Sequence, residues 1–149
     1  MKSPSCPCGG DSYDTCCKPF ISGAARAPTA EKLMRSRYSA YTQGDELYLR
    51  ATWHASTRPS GPILNQKEKL QWLKLEVKSA LRIRQSEAGM DRDSVEFVAR
   101  YKINGRAHRL HEVSRFVRER DAGGERWFYL DGSFPEEGAG FGHDRIIKG

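Results

Sequence analysis

From Leu73 to Gly132 the chain reads with a period of two, and few architectures accommodate that pattern over so long a stretch. In LKLEVKSALRI, Leu73, Leu75, Val77, Leu81 and Ile83 fall on one face of a strand; in VEFVARYKI, Val95, Phe97, Ala99, Tyr101 and Ile103 do the same. Successive side chains on a strand point to opposite faces, so each segment has one apolar and one polar side. A turn around AGMDRD separates these two strands. Asn104-Gly105, suited to a type I′ hairpin, leads into a third strand at about 107–119, and DAGGE turns that strand into WFYLDG. Four antiparallel strands in a meander result, and their apolar face needs cover.

The cover lies upstream. Thr29 reads as an N-cap with Glu31 in the first turn, where a negative charge suits the helix dipole. Ala30, Leu33, Met34, Arg37, Tyr38 and Tyr41 follow at helical spacing, and Gly44 supplies a C-terminal stop. Asp45 caps a second short helix, ELYLRATW. After the loop ASTRPSGP, Asn65 and Glu68 spell a capping box for a third. Helices followed by a meander define an α+β fold, with the helices packed on one face of the sheet. The 149 residues suit one such domain, and 15 aromatics supply bulk for its core.

All four cysteines stand within CPCGGDSYDTCC, residues 6–17. Core cysteines would scatter, so Cys6, Cys8, Cys16 and Cys17 are expected to meet in space. Four thiolates close a tetrahedral structural zinc site with no position left for substrate, and Gly9-Gly10 permits the sharp turn between the pairs. Lys2 and Lys18 would offset part of the charge. Paired disulfides, a thiol relay or free thiols are the competing arrangements. The opening MKSPSCPCGG has no apolar signal segment, and no stretch approaches the roughly 18 apolar residues of a membrane span, so a reducing cytoplasm is expected.

The organisation expected is a knuckle at 1–20, a small-residue linker at 21–28, the main domain at 29–132 and a loose tail at 133–149. Residues 72–120 hold 12 Lys/Arg against 7 Asp/Glu, and residues 121–149 hold 3 against 6. A basic middle attracts RNA, anionic lipid or an acidic partner, but a solvated sheet face is the commoner origin of such a pattern. RNA or ribosome binding by base stacking needs exposed aromatics, whereas the alternation turns Phe97 and Tyr101 inward.

CPCGGDSYDTCC resembles the SEC-C motif, the zinc knuckle at the C-terminus of SecA preprotein translocases. Followed in order by LMRSRYSAY, TWH, FVARY, HEVSRF and WFYLDG, it resembles the YchJ family of bacterial proteins over about residues 6–132. The resemblance implies Cys6, Cys8, Cys16 and Cys17 as ligands of one structural Zn2+. It implies a nuclear transport factor 2-like, cystatin-type cone for the main domain, and the family it points to has no established catalytic activity. The gap between Cys8 and Cys16 is one residue shorter than in the usual SEC-C pattern. The chain ends in FGHDRIIKG, without the second cysteine knuckle of many family members.

A cone of this kind often holds a pocket between helices and concave sheet. Its candidate residues are Tyr38, Trp53, His54, His111, Glu112 and Arg115. His111 and Glu112 are strand neighbours and should face opposite ways, so His54 with Glu112 is the better acid–base pair. Tyr38, Trp53 and Trp127 also suit a purely structural core, and Glu112 beside Arg115 suits a structural pair. His143-Asp144 sits in the tail. The functional expectation is a zinc-binding cytoplasmic adaptor whose knuckle docks on a protein partner. The alternative is a small-molecule-binding domain or enzyme using the pocket, with zinc purely structural.

Overall fold

A computed structural model describes residues 5–64, 70–83 and 91–135. It contains a 3-10 turn at Tyr13–Thr15, α1 (Lys18–Ile21), α2 (Ala30–Gln43), α3 (Glu46–Ala51), β1 (Leu70–Ile83), β2 (Asp91–Ile103), β3 (Arg106–Asp121) and β4 (Gly124–Ser133). The strands form one antiparallel sheet in the order β1-β2-β3-β4. The helices lie across one face, so the α+β expectation holds. The capping box at Asn65 and Glu68, the first half of AGMDRD, Lys2 and residues 136–149 with His143-Asp144 lie outside the described residues, as do the side chains of Leu81 and Ile83; of the expected tail, Ser133 ends β4 and Phe134 packs against the core.

Local chemistry sets the helix limits. The Thr29 hydroxyl accepts from Lys32 N at 3.1 Å, satisfying one of the first-turn amides that has no partner within α2. Gly44 ends that helix at φ 69°, in the left-handed region that costs glycine least. Asp45 caps α3 through Tyr48 N, also at 3.1 Å. Replacing Asp45 by alanine should cost about 1 kcal/mol, readable as a lower urea midpoint with an unchanged slope. The expected helix ELYLRATW stops at Ala51. Thr52, Trp53 and His54 leave it to pair with β4, with Tyr129 N donating to Thr52 O and His54 N donating to Tyr129 O, each at 2.8 Å.

Asn104 and Gly105 have φ of 51° and 86°, which is the type I′ requirement, and they set β2 and β3 in continuous register. β1 is less regular. Its pairing with β2 shifts between Trp72 and Lys74 and again between Val77 and Ser79. The first irregularity reverses the face sequence. Leu73, expected inside, is 48% exposed, while Leu70, Trp72, Leu75 and Val77 pack on the core.

The core lies between α2 and the concave face. Trp72 contacts Tyr38 at 5.4 Å between ring centres and Tyr101 at 5.3 Å; Tyr129 joins Trp53 at 5.1 Å and Phe116 at 5.7 Å. Phe97 and Tyr101 are buried there, which removes them as platforms for base stacking. Residues between α1 and α2 are tied to the far hairpin. Arg26 pairs with Asp121 at 2.8 Å, and Trp127 Nε1 donates to Pro28 O at 3.2 Å.

Candidate metal centre and concave-face cavity

The cysteine segment folds back on itself before it meets the domain. Gly9 N donates to Cys6 O and Cys6 N to Gly10 O, closing a tight turn in which Gly9 takes φ 102°. A side chain at Gly10 would place its Cβ 2.6 Å from Cys16 Sγ, so the second glycine makes room for sulfur. The 3-10 turn then delivers Cys16, and Cys17 occupies the N-cap of α1.

All four sulfurs lie within 4.8 Å of one another. Cys8 Sγ is 3.5 Å from Cys16 Sγ, which is 4.0 Å from Cys17 Sγ. Four sulfurs at about 2.3 Å from a central ion are separated by about 3.8 Å along each tetrahedron edge, a value between these two spacings. Cys6, Cys8 and Cys17 are buried against the domain, where Cys6 Sγ meets Ser39 Oγ at 3.5 Å and Arg35 donates to Cys8 O at 2.9 Å. Electrostatics point the same way. Hydrogen bonding from Cys17 brings the Cys8 thiol down to about 4, whereas burial pushes Cys16 up to about 12 and the Cys8 thiolate drives Cys17 higher still. The Cys8 thiolate thus opposes ionisation of Cys16 and Cys17, an opposition that a cation among the sulfurs would relieve.

The six pocket candidates do not converge. Tyr38 and Glu112 line a cavity of about 30 Å³ between α2 and the sheet, together with Met34, Tyr41, Phe97 and Phe116. Trp53 stands behind it, 1% exposed and edge-on to Tyr129. His54 turns away and bonds Glu119 at 2.8 Å and Ser56 at 2.7 Å, so the expected His54–Glu112 pair does not form. The reason is the pairing of residues 52–54 along β4, which carries His54 onto Phe128 on the outer side. His111 lies on the opposite face from Glu112 and bonds Glu96 at 2.6 Å. Arg115 pairs with Asp131 at 2.6 Å rather than with Glu112.

Glu112 is the centre of the cavity's polar side. It is 1% exposed, and its Oε2 accepts from Ser114 Oγ and from Tyr129 OH, both at 2.9 Å. Gly132 faces it across β3 and β4 without a side chain. Arg37 on α2 is itself buried. Its Nη1 donates to Leu49 O at 2.8 Å and Thr52 Oγ1 at 2.6 Å, and its guanidinium sits 4.7 Å from the Tyr129 ring centre and 5.3 Å from that of Trp53. The sequence signal for this network is the run Leu110, Glu112, Ser114, Phe116, which places an acid at an inward position of an apolar alternation.

Burial raises the Glu112 carboxyl to about 7, against the pull of its two hydroxyl donors and Arg37. The unfolded chain releases this proton near 4.5 and the folded chain near 7. The stability that goes with the bound proton is therefore complete below about 4.5 and is lost as pH rises to about 7. Compared with Glu112→Gln, the wild type should lose about 3 kcal/mol across that window and then run parallel above it. Chemical denaturation of both proteins at each pH measures this difference.

A larger open groove of about 500 Å³ runs between α1, α3 and the start of β4. Phe20, Ile21, Leu33 and Trp127 give it apolar walls, and Arg26 and Arg126 stand among them. Leu47 beside it is 83% exposed.

Comparison with known proteins agrees with this architecture. The family described as "YchJ, middle NTF2-like domain" matches residues 29–132. A UPF0225 protein of Cupriavidus metallidurans is 56% identical over 133 residues, covering 88% of this chain and 89% of that one. A UPF0225 protein of Ralstonia nicotianae is 51% identical over 135 residues, covering 86% and 90%. The solution structure of a SEC-C motif containing protein from Rhodopseudomonas palustris superposes with a TM-score of 0.68 at 32% identity, covering 88% of this chain and 98% of that one. A crystal structure of a SEC-C motif containing protein from Psychrobacter arcticus gives a TM-score of 0.69 at 27% identity, covering 85% and 80%. With its four-cysteine turn packed on a helix-covered antiparallel sheet, the chain belongs to the YchJ-like, UPF0225 family of bacterial proteins.

Proposed function

We propose that Cys6, Cys8, Cys16 and Cys17 hold one structural zinc ion and that the chain is a binding protein whose knuckle helps form a docking groove for a protein partner. The observation that carries the metal assignment is the mutual approach of four sulfurs within 4.8 Å, three of them on buried cysteines. An all-thiolate set favours zinc among common divalent ions and leaves no open coordination position for catalysis. Protein purified in reductant without added metal should carry one zinc per chain by elemental analysis. A value well below one, with the protein folded, would end the zinc assignment.

The docking surface is supported by the groove, because α1, directly after the cysteines, contributes Phe20 and Ile21 to its wall and Arg126 supplies a cation there, Arg26 being held by Asp121. That combination fits a partner segment with an apolar side chain next to a carboxylate. Candidates captured from lysate by the zinc-loaded chain should be purified and titrated directly against wild type, Leu47→Asp and zinc-stripped protein. At least a tenfold loss of affinity in both altered forms is expected. Equal affinity in all three sinks the groove reading while leaving the zinc site standing. Among the described residues no helix is long and apolar enough to cross a membrane.

A further inference from the structure

We propose that the sheet face turned away from the helices, across β1, β2 and β3, binds a nucleic acid duplex through its phosphates, without reading base sequence. The strand register sets three cations side by side: Lys74 is opposite Arg100, and Arg100 is opposite Arg109. Lys102 follows two residues along β2, on the same face. All four side chains are exposed. Direct cross-strand partners stand about 5 Å apart, where like charges repel and weaken a sheet. Edge protection accounts for a lysine on β1, but β2 and β3 are inner strands, so Arg100 and Arg109 need another reason. Lys78, then Lys74 and Arg100, hold the Glu76 carboxyl below its ordinary range, but one carboxylate leaves the row with an excess of positive charge. The excess of cations in residues 72–120 is visible in sequence; the pairing of strands is what lines them up.

The chemistry of the face selects the partner. Three strands place the row over about 10 Å, and its guanidinium forks and ammonium groups suit closely spaced phosphates. Among the described residues of β2 and β3, the rings of Phe97, Tyr101 and Phe116 are buried in the core, so unpaired bases find no stacking platform there. A duplex keeps its bases stacked within and its phosphates outside, which is all that this row can contact.

An anionic bilayer is a poorer match. A plane would press on the whole face, where Glu96, Glu119 and Asp131 also stand, whereas a duplex touches along a narrow ridge. Those acids are bonded to His111, His54 and Arg115 respectively, which leaves the excess charge at the row. None of the four row residues lines the groove or belongs to the cysteine cluster, so the inference stands apart from both.

The test titrates the full chain into fluorescein-labelled DNA duplexes of about 20 base pairs and two unrelated sequences, read by anisotropy between about 50 and 200 mM salt. Both duplexes should bind alike, with a Kd on the order of 10–100 μM near physiological salt and log K falling against log salt with a slope of about −3 to −4. Arg100→Gln and Lys74→Gln should each weaken binding at least threefold and reduce that slope by about 1. Arg115→Gln removes the same charge at the β3–β4 end of the face and should change affinity less than twofold. Arg100→Gln also relieves repulsion within the row, so it should unfold no earlier than wild type, which separates lost binding from lost structure. No saturable change at millimolar protein and low salt, equal affinity of Arg100→Gln and wild type, or an equal loss in Arg115→Gln would overturn the proposal. So would an Arg100→Gln protein that unfolds well before wild type, since the row would then be structural. Tighter binding to phosphatidylglycerol vesicles, or to a single strand of the same length, would overturn the duplex assignment.

Discussion

Stripping zinc from the full chain should release residues 5–21 from α2 while the four-stranded sheet remains paired. This expectation rests on the zinc assignment and on where the knuckle's stability comes from. The segment has a 3-10 turn and a four-residue α1, and neither buries a side chain of its own. Its buried groups are Cys6, Cys8 and Cys17. Metal binding in sites of this type supplies on the order of 10 kcal/mol or more, far beyond what two such turns can provide alone. The ladders β1·β2, β2·β3 and β3·β4 do not pass through the knuckle. Cys17→Ser should act like a chelator, because it removes one ligand and leaves the other thiols crowded. Zinc content should fall well below one per chain, Tm should drop by on the order of 10 °C, and chymotrypsin should cut at Tyr13 and Phe20. Continued protection of Tyr13 and Phe20 in metal-free protein would mean that packing on Ser39 and Arg35, not metal, holds the knuckle.

Gly132→Ala should be the most damaging single-methyl change in the sheet, at about 4 kcal/mol. The added Cβ would overlap Glu112 Oε2 and lie 2.8 Å from its Cδ and 3.0 Å from its Cγ. The carboxyl cannot step aside freely, since Ser114 and Tyr129 hold it and Arg37 and Tyr129 are stacked behind. Overpacking of this kind costs about 1–3 kcal/mol, and breaking the two hydrogen bonds to a buried acid adds a similar amount. Gly132→Ala combined with Glu112→Ala should recover part of the loss, because the clash disappears with the side chain. Additive losses in the double variant would place the strain in the backbone instead.

The parts of this fold that were readable in advance are those set by neighbours in sequence. The caps at Thr29 and Asp45, the stop at Gly44 and the hairpin at Asn104-Gly105 each depend on a few adjacent residues, and each appears as expected. The cysteine cluster belongs to the same class, since twelve residues can bring four sulfurs together without help. What failed depended on register between distant strands. Leu73 points outward because a bulge beside Trp72 shifts the count by one, and strict alternation has no means of locating an extra residue. His54 missed Glu112 because two backbone hydrogen bonds to Tyr129 carry it to the outer side, and backbone pairing leaves no residue-type signature. Arg115 went to Asp131 after a register shift at Phe116. Glu112 itself was named, but its true companions Ser114, Tyr129 and Arg37 come from three elements whose relative placement only tertiary packing decides.

The short bridge between Trp53 and Tyr129 also bears on how this protein behaves when crowded. β4 is an outer strand of the sheet, and an outer strand offers unpaired amides and carbonyls to any other strand that arrives. Residues 52–54 occupy those groups at Tyr129, midway along β4, and interrupt the free edge. At the other border, β1 is broken by two irregularities and carries Lys74 and Lys78. Both margins of the sheet are thus protected from end-on growth into filaments. A proline at His54 would delete one of the two blocking hydrogen bonds, and the first symptom would be concentration-dependent self-association, visible in light scattering before any loss of the native fold.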